Sequence, residues 1–210
     1  MYDNTQFATL PNNPLAVLDP QPKEPRYYTL AEYLRREERS QELHEYYDGM
    51  ITKLPMARGP HNMITANMVT ALNNVKRALT KKYLIYTGQQ AVYLPKLNFS
   101  LYPDVLTVVE TPQYFDRNQV LLINPLVIIE VLSKSTKKYD RVLKFDEYKT
   151  LDSFKEYILI DQKKCHIQVR YREEPGLWRE TTYENMNDTI LLKSMNCTIF
   201  MTDIYENIVF

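Results

Sequence analysis

The chain has 210 residues, of which 44% are hydrophobic and 25% charged, a composition typical of a globular protein. Its four glycines form no phosphate-binding pattern and its two cysteines form no C-x-x-C pair, which argues against a nucleotide loop and a cysteine zinc site. Sparse cysteine, no signal pattern and no long apolar run predict a cytoplasmic protein without a membrane segment.

The formal net charge is zero, but the charges are unevenly distributed along the chain. Residues 49–103 contain seven Lys or Arg and no Asp or Glu, whereas residues 173–210 contain seven acids against two bases. This asymmetry is compatible with one positive face that binds a polyanion. Ordinary solvated faces are the alternative explanation.

The first segment of the chain predicts an extended arm followed by a helix. Residues 1–28 hold five of the twelve prolines and show little periodicity. Thr29 and Glu32 have the spacing of a capping box, which opens a short helix to about residue 39. We therefore expect an N-terminal arm over 1–28 and a single domain over 29–210.

The following segments alternate between strand and helix patterns. Asp48 and Gly49 predict a tight turn in a hairpin over residues 44–54. Pro60 begins a helix whose apolar stripe continues to about residue 82. The remaining predicted elements are strands at 83–86, 89–94, 101–109 and 125–132, a helix over 133–150, a hairpin of 154–161 and 165–171, strands near 179–183 and 189–192, and a helical turn at 202–207.

The strand over residues 125–132 carries the first candidate functional residue. Six of the seven residues from Leu126 to Leu132 are aliphatic, and the seventh is Glu130. Such an apolar run predicts a strand buried on both faces. A buried carboxylate needs a cation, several hydrogen-bond donors or a metal ion, and otherwise it costs several kcal/mol or takes up a proton. A position at a solvated strand end is the alternative for Glu130.

Two further residues could compensate the charge of Glu130. Asp104 follows a proline in an apolar strand pattern, and a neighbouring strand could place its carboxylate beside Glu130. Adjacent carboxylates repel unless a divalent cation lies between them, and oxygen ligands of this kind suit Mg²⁺. Asp140, Lys144 and Tyr148 share one helix face, so Lys144 could be the cation instead. A turn role for Asp104 and an exposed Asp140–Lys144 pair are the alternatives.

These residues belong to an ordered series of motifs. In chain order the motifs are Glu45-Tyr46-Tyr47-Asp48-Gly49, His61, Tyr102-Pro103-Asp104-Val105, the run from Pro125 to Thr136, Asp140-x-x-x-Lys144-x-x-x-Tyr148, and Glu156-Tyr157-Ile158-Leu159-Ile160-Asp161. The series resembles a large bacterial family of restriction-endonuclease-like proteins with the PD-(D/E)-x-K fold, and it spans roughly residues 29–161. The resemblance implies an α/β fold in which helices flank a central mixed β-sheet.

The resemblance also implies the roles of the site residues in a DNA endonuclease. Asp104 and Glu130 would hold Mg²⁺ or Mn²⁺, and Glu45 would be a further acidic member of the site. The usual lysine of the superfamily, two residues after the glutamate, is Leu132 here, and Lys144 on the following helix matches the lysine of this family. In the implied reaction the metal polarises a phosphodiester and lowers the pKa of a bound water, while Lys144 orients that water or stabilises the transition state.

Other predictions concern the substrate and the partners. Lys134, Lys137 and Lys138 are candidate contacts to DNA phosphates. His61 is a candidate substrate-binding residue, with a role as a helix-start cap as the alternative. Nucleases of this kind often pair, so a homodimer is possible. The rival hypothesis is a catalytically inactive nucleic-acid-binding or protein-interaction module on the same fold, whereas glycoside hydrolysis leaves Lys144 unexplained.

Overall fold

A computed structural model describes residues 26–133 and 140–210 of the chain. The predicted N-terminal arm lies outside the described residues, apart from residues 26–28. The first half contains α1 (Leu30–Glu37), β1 (His44–Tyr47), β2 (Met50–Lys53), α2 (Gly59–Val75), β3 (Tyr83–Thr87), β4 (Ala91–Leu94), β5 (Phe99–Leu101) and β6 (Val105–Val109). The second half contains β7 (Leu121–Leu122), β8 (Val127–Leu132), α3 (Phe145–Tyr148), β9 (Glu156–Asp161), β10 (Ile167–Glu174), β11 (Leu177–Tyr183), β12 (Thr189–Leu192), β13 (Cys197–Phe200) and α4 (Met201–Ile204). A 3₁₀ turn (Lys76–Ala78) follows α2, and a π-helix (Asp140–Lys144) runs directly into α3.

The strands form two larger sheets and one separate hairpin. The six-stranded sheet has the order β11-β10-β9-β8-β6-β3, the five-stranded sheet has the order β2-β1-β5-β4-β7, and β12 pairs with β13. In the larger sheet β8 and β9 are parallel while the other pairs are antiparallel. The fold is therefore a mixed α/β architecture with helices against the sheets, as the sequence predicts. No helix in the described part of the chain is long and apolar enough to cross a membrane.

Strand β8 lies at the centre of the larger sheet and contributes to two hydrophobic cores. On one face of β8, the residues that pack against α2 are Val127, Ile129 and Val131. Ile128 and Leu132 point the other way, into a core shared with the five-stranded sheet. All six residues of β8 are buried, which confirms the prediction from the apolar run. Because side chains alternate along a strand, Glu130 shares the face of Ile128 and lies between the two sheets.

Two local sequence signals near the start of the domain are confirmed. The Thr29 hydroxyl accepts a hydrogen bond from the Glu32 main-chain N–H at 3.2 Å, and the Glu32 carboxylate accepts one from the Thr29 N–H at 2.8 Å. The turn between β1 and β2 places Asp48 and Gly49 at φ angles of 44° and 102°. Both are left-handed conformations, which glycine and aspartate adopt more easily than other residues.

The predicted strand over residues 101–109 is wrong in one respect that matters for the site. The structure divides this segment into β5 and β6, which belong to different sheets. Pro103 lies at the crossing, because it has no N–H to donate to a strand ladder. Asp104 therefore occupies a bend just before β6 and not the interior of a strand.

Two other segments differ from the sequence prediction. The described part of the helix predicted over 133–150 begins as a π-helix and becomes a regular α-helix at Phe145. Strand β13 closes a hairpin with β12 that the sequence patterns did not delimit. The hairpin of β9 and β10 agrees with its prediction.

Candidate active site

Glu130 lies in the middle of β8 and only 3% of its surface is exposed. The Lys144 ammonium donates a hydrogen bond to Glu130 Oε1 at 3.3 Å, and the Tyr148 hydroxyl donates to the same oxygen at 3.4 Å. Both donors come from the π-helix and α3, on the segment that connects β8 to β9. Their spacing of four residues places them on one helix face, which is why they reach the same carboxylate.

Lys144 is a cation shared by three carboxylates. Its Nζ lies 3.2 Å from Glu45 Oε1, 3.3 Å from Glu130 Oε1 and 3.6 Å from Asp140 Oδ1. The four side chains are between 4% and 7% exposed, so an exposed Asp140–Lys144 pair is the wrong interpretation. Removal of the lysine from such a dry cluster leaves the three carboxylates uncompensated.

Glu45 reaches this cluster from the five-stranded sheet. It lies on β1, and its Oε2 accepts a hydrogen bond from the Tyr47 hydroxyl. Its Oε1 also accepts a hydrogen bond from the Tyr102 main-chain N–H at 3.4 Å. Neither tyrosine was predicted to belong to the site. Tyr47 could have been found, because residues two apart on a strand point to the same face.

Asp104 lies beside Glu130, one residue before the neighbouring strand β6 begins. Val105 pairs with Ile129 in the antiparallel ladder, so Asp104, one residue earlier, lies opposite Glu130. Its Oδ2 accepts a hydrogen bond from the main-chain N–H of Val131 at 2.7 Å. The Asp104 side chain is 22% exposed, whereas those of Glu45, Glu130 and Asp140 are almost fully buried.

His61 in the first turn of α2 contacts the same aspartate. Its Nε2 lies 3.1 Å from Asp104 Oδ2, while its Nδ1 is buried without a hydrogen-bond partner within residues 26–133 and 140–210. Burial lowers the pKa of His61, but the hydrogen bond and charge of Asp104, together with smaller contributions from Asn62 and Asp140, make the net direction upward. The N-cap residue of α2 is Arg58, and no side chain caps this helix. The interpretation of His61 as a cap is therefore wrong, and its role toward a substrate stays a prediction.

The pKa shifts reflect the unequal numbers of acids and bases. Burial raises the pKa of Glu130 well above its ordinary value; the charge of Lys144 opposes this rise, and the nearby carboxylates, first among them Asp104, add to it. Burial also disfavours the charge of Lys144, but the surrounding carboxylates outweigh it and raise the pKa of the ammonium. Both directions follow from the geometry, because among the described residues the lysine has three anionic neighbours and the glutamate has one cationic neighbour.

The donor chemistry of the cluster fits a divalent cation. Three carboxylates surround Lys144 and a fourth, Asp104, lies opposite Glu130, and carboxylate oxygens are the ligands that Mg²⁺ and Mn²⁺ prefer. Asp104 Oδ1 has no hydrogen-bond partner among the described residues, so it remains available to a ligand. In the same part of the chain, no group of three or more His, Cys, Asp or Glu side chains forms a ready-made metal site. Asp104 and Glu130 can thus supply two oxygens, and water or substrate would complete the coordination shell.

The remaining predicted positions have separate outcomes. Leu132, which occupies the position of the usual lysine, is buried in the core between the sheets. Lys134, Lys137 and Lys138 lie outside the described residues. The Tyr157 hydroxyl, which no sequence signal indicated, donates to the main-chain carbonyl of Asp140 at 2.8 Å and holds the start of the π-helix.

The fold around this cluster is that of a nuclease-like protein. It is similar to the crystal structure of a "putative nuclease" from Anabaena variabilis ATCC 29413, with a TM-score of 0.69 and 18% sequence identity. The similarity covers 87% of this chain and 99% of that chain. At this level of sequence identity, the structural similarity shows the fold class and nothing more.

Sequence comparison gives a narrower assignment. The model of the Uma2 family, described as "Putative restriction endonuclease", matches residues 30–199. Two uncharacterised proteins of Synechocystis sp. (strain PCC 6803) are also similar: sll1609 is 35% identical over 145 residues, which cover 69% of this chain and 80% of that protein. The second, slr1290, is 30% identical over 182 residues, which cover 85% of this chain and 92% of that protein. This chain belongs to the Uma2 family.

Proposed function

We propose that this protein is a metal-dependent endonuclease that hydrolyses phosphodiester bonds of DNA. The observation that carries the proposal is the buried cluster in which Lys144 meets three carboxylates while Asp104 lies opposite Glu130. Membership of a family described as restriction endonucleases and the nuclease-like fold support a nucleic-acid substrate.

Asp104 and Glu130 are the residues that would hold Mg²⁺ or Mn²⁺. Bound there, the cation supplies Lewis-acid polarisation of the phosphodiester and a lowered pKa for water. The raised pKa of Glu130 supports this assignment, because an added divalent charge would compensate a carboxylate that one shared lysine compensates only in part.

The side chains of this chain supply positioning and charge. Lys144 would stabilise the negative charge that develops on the phosphate in the transition state. Glu45 and Asp140 hold its ammonium from two further sides, so little reorientation is needed during the reaction. His61 contacts Asp104 through Oδ2 and thereby leaves Oδ1 for the cation.

A second candidate function, binding without catalysis, is favoured by one observation. Glu130 and Lys144 are only 4% and 7% exposed and lie 3.3 Å apart, as in a purely structural ion pair. In that case the cluster would stabilise the junction of the two sheets, and it would need no metal. The two functions differ in whether Mg²⁺ binds to Asp104 and Glu130.

The proposal is tested by a plasmid-nicking assay with Mg²⁺ or Mn²⁺, using wild type, Glu130→Gln and Glu156→Gln. Glu156 is the matched control, because it is a buried glutamate on the strand next to β8. We expect Glu130→Gln to lose about 10²-fold or more in rate, and Glu156→Gln to keep the wild-type rate per folded molecule.

Calorimetric titration of Mg²⁺ separates the two candidate functions. The endonuclease requires metal binding that Asp104→Asn and Glu130→Gln weaken and Glu156→Gln does not. Absence of metal binding together with absence of nicking would leave the binding module as the function.

A further inference from the structure

A groove on the surface of α1 is lined by arginines that the proposed catalytic cluster does not use. It has a volume of about 660 Å³ and is open to solvent. Its charged and aromatic lining consists of Arg26, Tyr28, Glu32, Arg35, Arg36 and Arg39. We infer that this groove binds the phosphate backbone of a nucleic acid.

The arginines of the groove have no direct ion-pair partner among the described residues, although the charge of Glu32 interacts with Arg26 and Arg35. Within residues 26–133 and 140–210, none of the four makes an ion pair, whereas Arg170 and Arg179 on the larger sheet each pair with a glutamate. The one carboxylate in the groove, Glu32, accepts the N–H and hydroxyl of Thr29 in the capping box. Four exposed guanidiniums in one groove repel one another, and bound phosphates would relieve that repulsion.

The groove is held in shape before any ligand binds. The guanidinium carbons of Arg26 and Arg36 lie 4.8 and 5.8 Å from the centre of the Tyr28 ring. These cation–π contacts limit the motion of two arginines that would otherwise be free at the surface. Guanidinium groups positioned in this way match phosphate oxygens, which they bind with two parallel hydrogen bonds.

The groove is attached to the strand that carries Glu45. Tyr28 donates its main-chain N–H to the carbonyl of Gly49 at 2.9 Å, and its own carbonyl accepts the hydroxyl of Tyr46 at 3.0 Å. On the inner face of α1, Glu37 accepts the main-chain N–H of His44 at 2.8 Å. The helix is thus fastened to β1 through His44 and Tyr46, on the face of the strand opposite Glu45, which contacts Lys144 at 3.2 Å.

The charge of the cluster explains why such a groove is needed. Carboxylates outnumber cations around Lys144, and this excess negative charge repels a phosphodiester. The chain as a whole has no net charge that could attract DNA. A local basic surface fixed to the same hairpin supplies that attraction. The inference rests on the proposed function only for the identity of the polyanion.

The test is fluorescence anisotropy of a labelled DNA duplex with the full chain in EDTA, where cleavage does not occur. The variant is Arg35→Ala/Arg36→Ala/Arg39→Ala on the exposed side of α1. The matched control is Arg77→Ala/Lys81→Ala/Lys82→Ala. These substitutions remove the same charge from three exposed cations just after α2. Circular dichroism of both variants reports whether α1 and the fold are retained.

We expect the groove variant to bind about tenfold more weakly, with a salt dependence whose slope is lower by about 2–3, near one unit for each lost phosphate contact. The same loss should appear on a duplex of unrelated sequence, because phosphates carry no sequence information. The variant Arg35→Lys/Arg36→Lys/Arg39→Lys should recover most of the affinity.

Three results would overturn the inference. The first is wild-type DNA affinity in the groove variant, and the second is an equal loss in the α2 control. The third is a loss of poly-glutamate binding with DNA binding intact, which would assign the groove to an acidic protein segment. Failure of the proposed function is seen separately, as absent nicking in Mg²⁺ while the groove variant still loses DNA binding in EDTA.

Discussion

Glu130 and Glu156 lie on neighbouring parallel strands, and both are buried, but their carboxylates are compensated in different ways. Glu156 accepts the main-chain N–H groups of Lys193 and Ser194 at 3.0 and 3.1 Å and the Ser194 hydroxyl at 2.6 Å. Glu130 instead shares one ammonium with two further carboxylates. The two side chains lie on opposite faces of the same sheet. Glu156 faces the turn that contains Lys193 and Ser194, whereas Glu130 lies between the two larger sheets.

This difference shows which feature of a buried carboxylate indicates function. Burial raises the pKa of both glutamates. At Glu156 three hydrogen-bond donors and the charge of Lys193 oppose the rise, and burial is its main cause. At Glu130 three other carboxylates add to the rise. An excess of acceptors over donors costs stability in the metal-free protein, and such strain is typical of a site that a ligand completes.

The largest effect that tests this comparison should come from Lys144→Ala. It removes the cation that three nearly dry carboxylates share, so we expect the free energy of unfolding to fall by about 3–5 kcal/mol near pH 7. Urea unfolding in metal-free buffer measures it. The control is Lys149→Ala one turn later, where an exposed pair with Asp146 should contribute at most about 1 kcal/mol. Equal losses in both variants would contradict the difference between the buried and the exposed lysine.

Glu156→Ala should have the next largest effect on stability. It leaves the donors of Lys193 and Ser194 without their acceptor, and we expect a loss of about 2–3 kcal/mol. Urea unfolding and nicking are measured on the same preparation. The rate per folded molecule should stay at the wild-type level, and a selective loss of nicking in a stable variant would show that Glu156 also contributes to catalysis.

Added Mg²⁺ should stabilise the protein by a smaller amount. At a free concentration about ten times the dissociation constant, the expected gain is about 1.4 kcal/mol. Differential scanning calorimetry should show this gain in wild type and Glu156→Gln, and not in Asp104→Asn. A gain that persists in Asp104→Asn would mean that the metal binds elsewhere.

The smallest effect should come from Glu130→Gln. The amide removes repulsion from three carboxylates as well as attraction to Lys144, so stability near pH 7 should change by less than about 1 kcal/mol. The pKa of Glu130 is raised in the folded protein, so the folded state keeps a proton that the unfolded state releases above about pH 4.5. Wild-type stability in EDTA should therefore decrease as the pH rises from that value through the raised pKa.

Denaturant titrations at several pH values measure this contribution. The decrease in stability with pH should be shallower in Glu130→Gln. It should change only slightly in Glu156→Gln, because hydrogen-bond donors hold the pKa of the wild-type Glu156 closer to the ordinary range. Identical pH dependence in wild type and Glu130→Gln would refute the raised pKa.

The elements that could be predicted from sequence are those with short-range causes. The capping box of Thr29 and Glu32 and the turn at Asp48 and Gly49 each depend on a few adjacent residues. The burial of β8 could be read from one apolar run. The division of residues 101–109 between two sheets could not be predicted from sequence, because it depends on which strand pairs with the chain after Pro103.

The site was only partly visible in the sequence. Glu130 was found because a charge in an apolar run requires compensation, and Lys144 because four-residue spacing defines a helix face. The contact between Glu45 and Lys144 joins residues that are far apart in the chain, and no periodicity links them. The predicted catalysis, DNA substrate, metal, homodimer and cytoplasmic location stay predictions that the experiments above address in part.

The sequence by itself determined that a carboxylate would be buried in the central strand and that a lysine would follow on one face of the next helix. These features depend on the alternation of side chains in a strand and the period of a helix, which are local properties. Only the tertiary structure decided that Glu130 meets an excess of carboxylates while Glu156 meets a turn full of donors. The reason is physical: the free energy of a buried charge depends on which distant groups packing brings within a few ångströms of it.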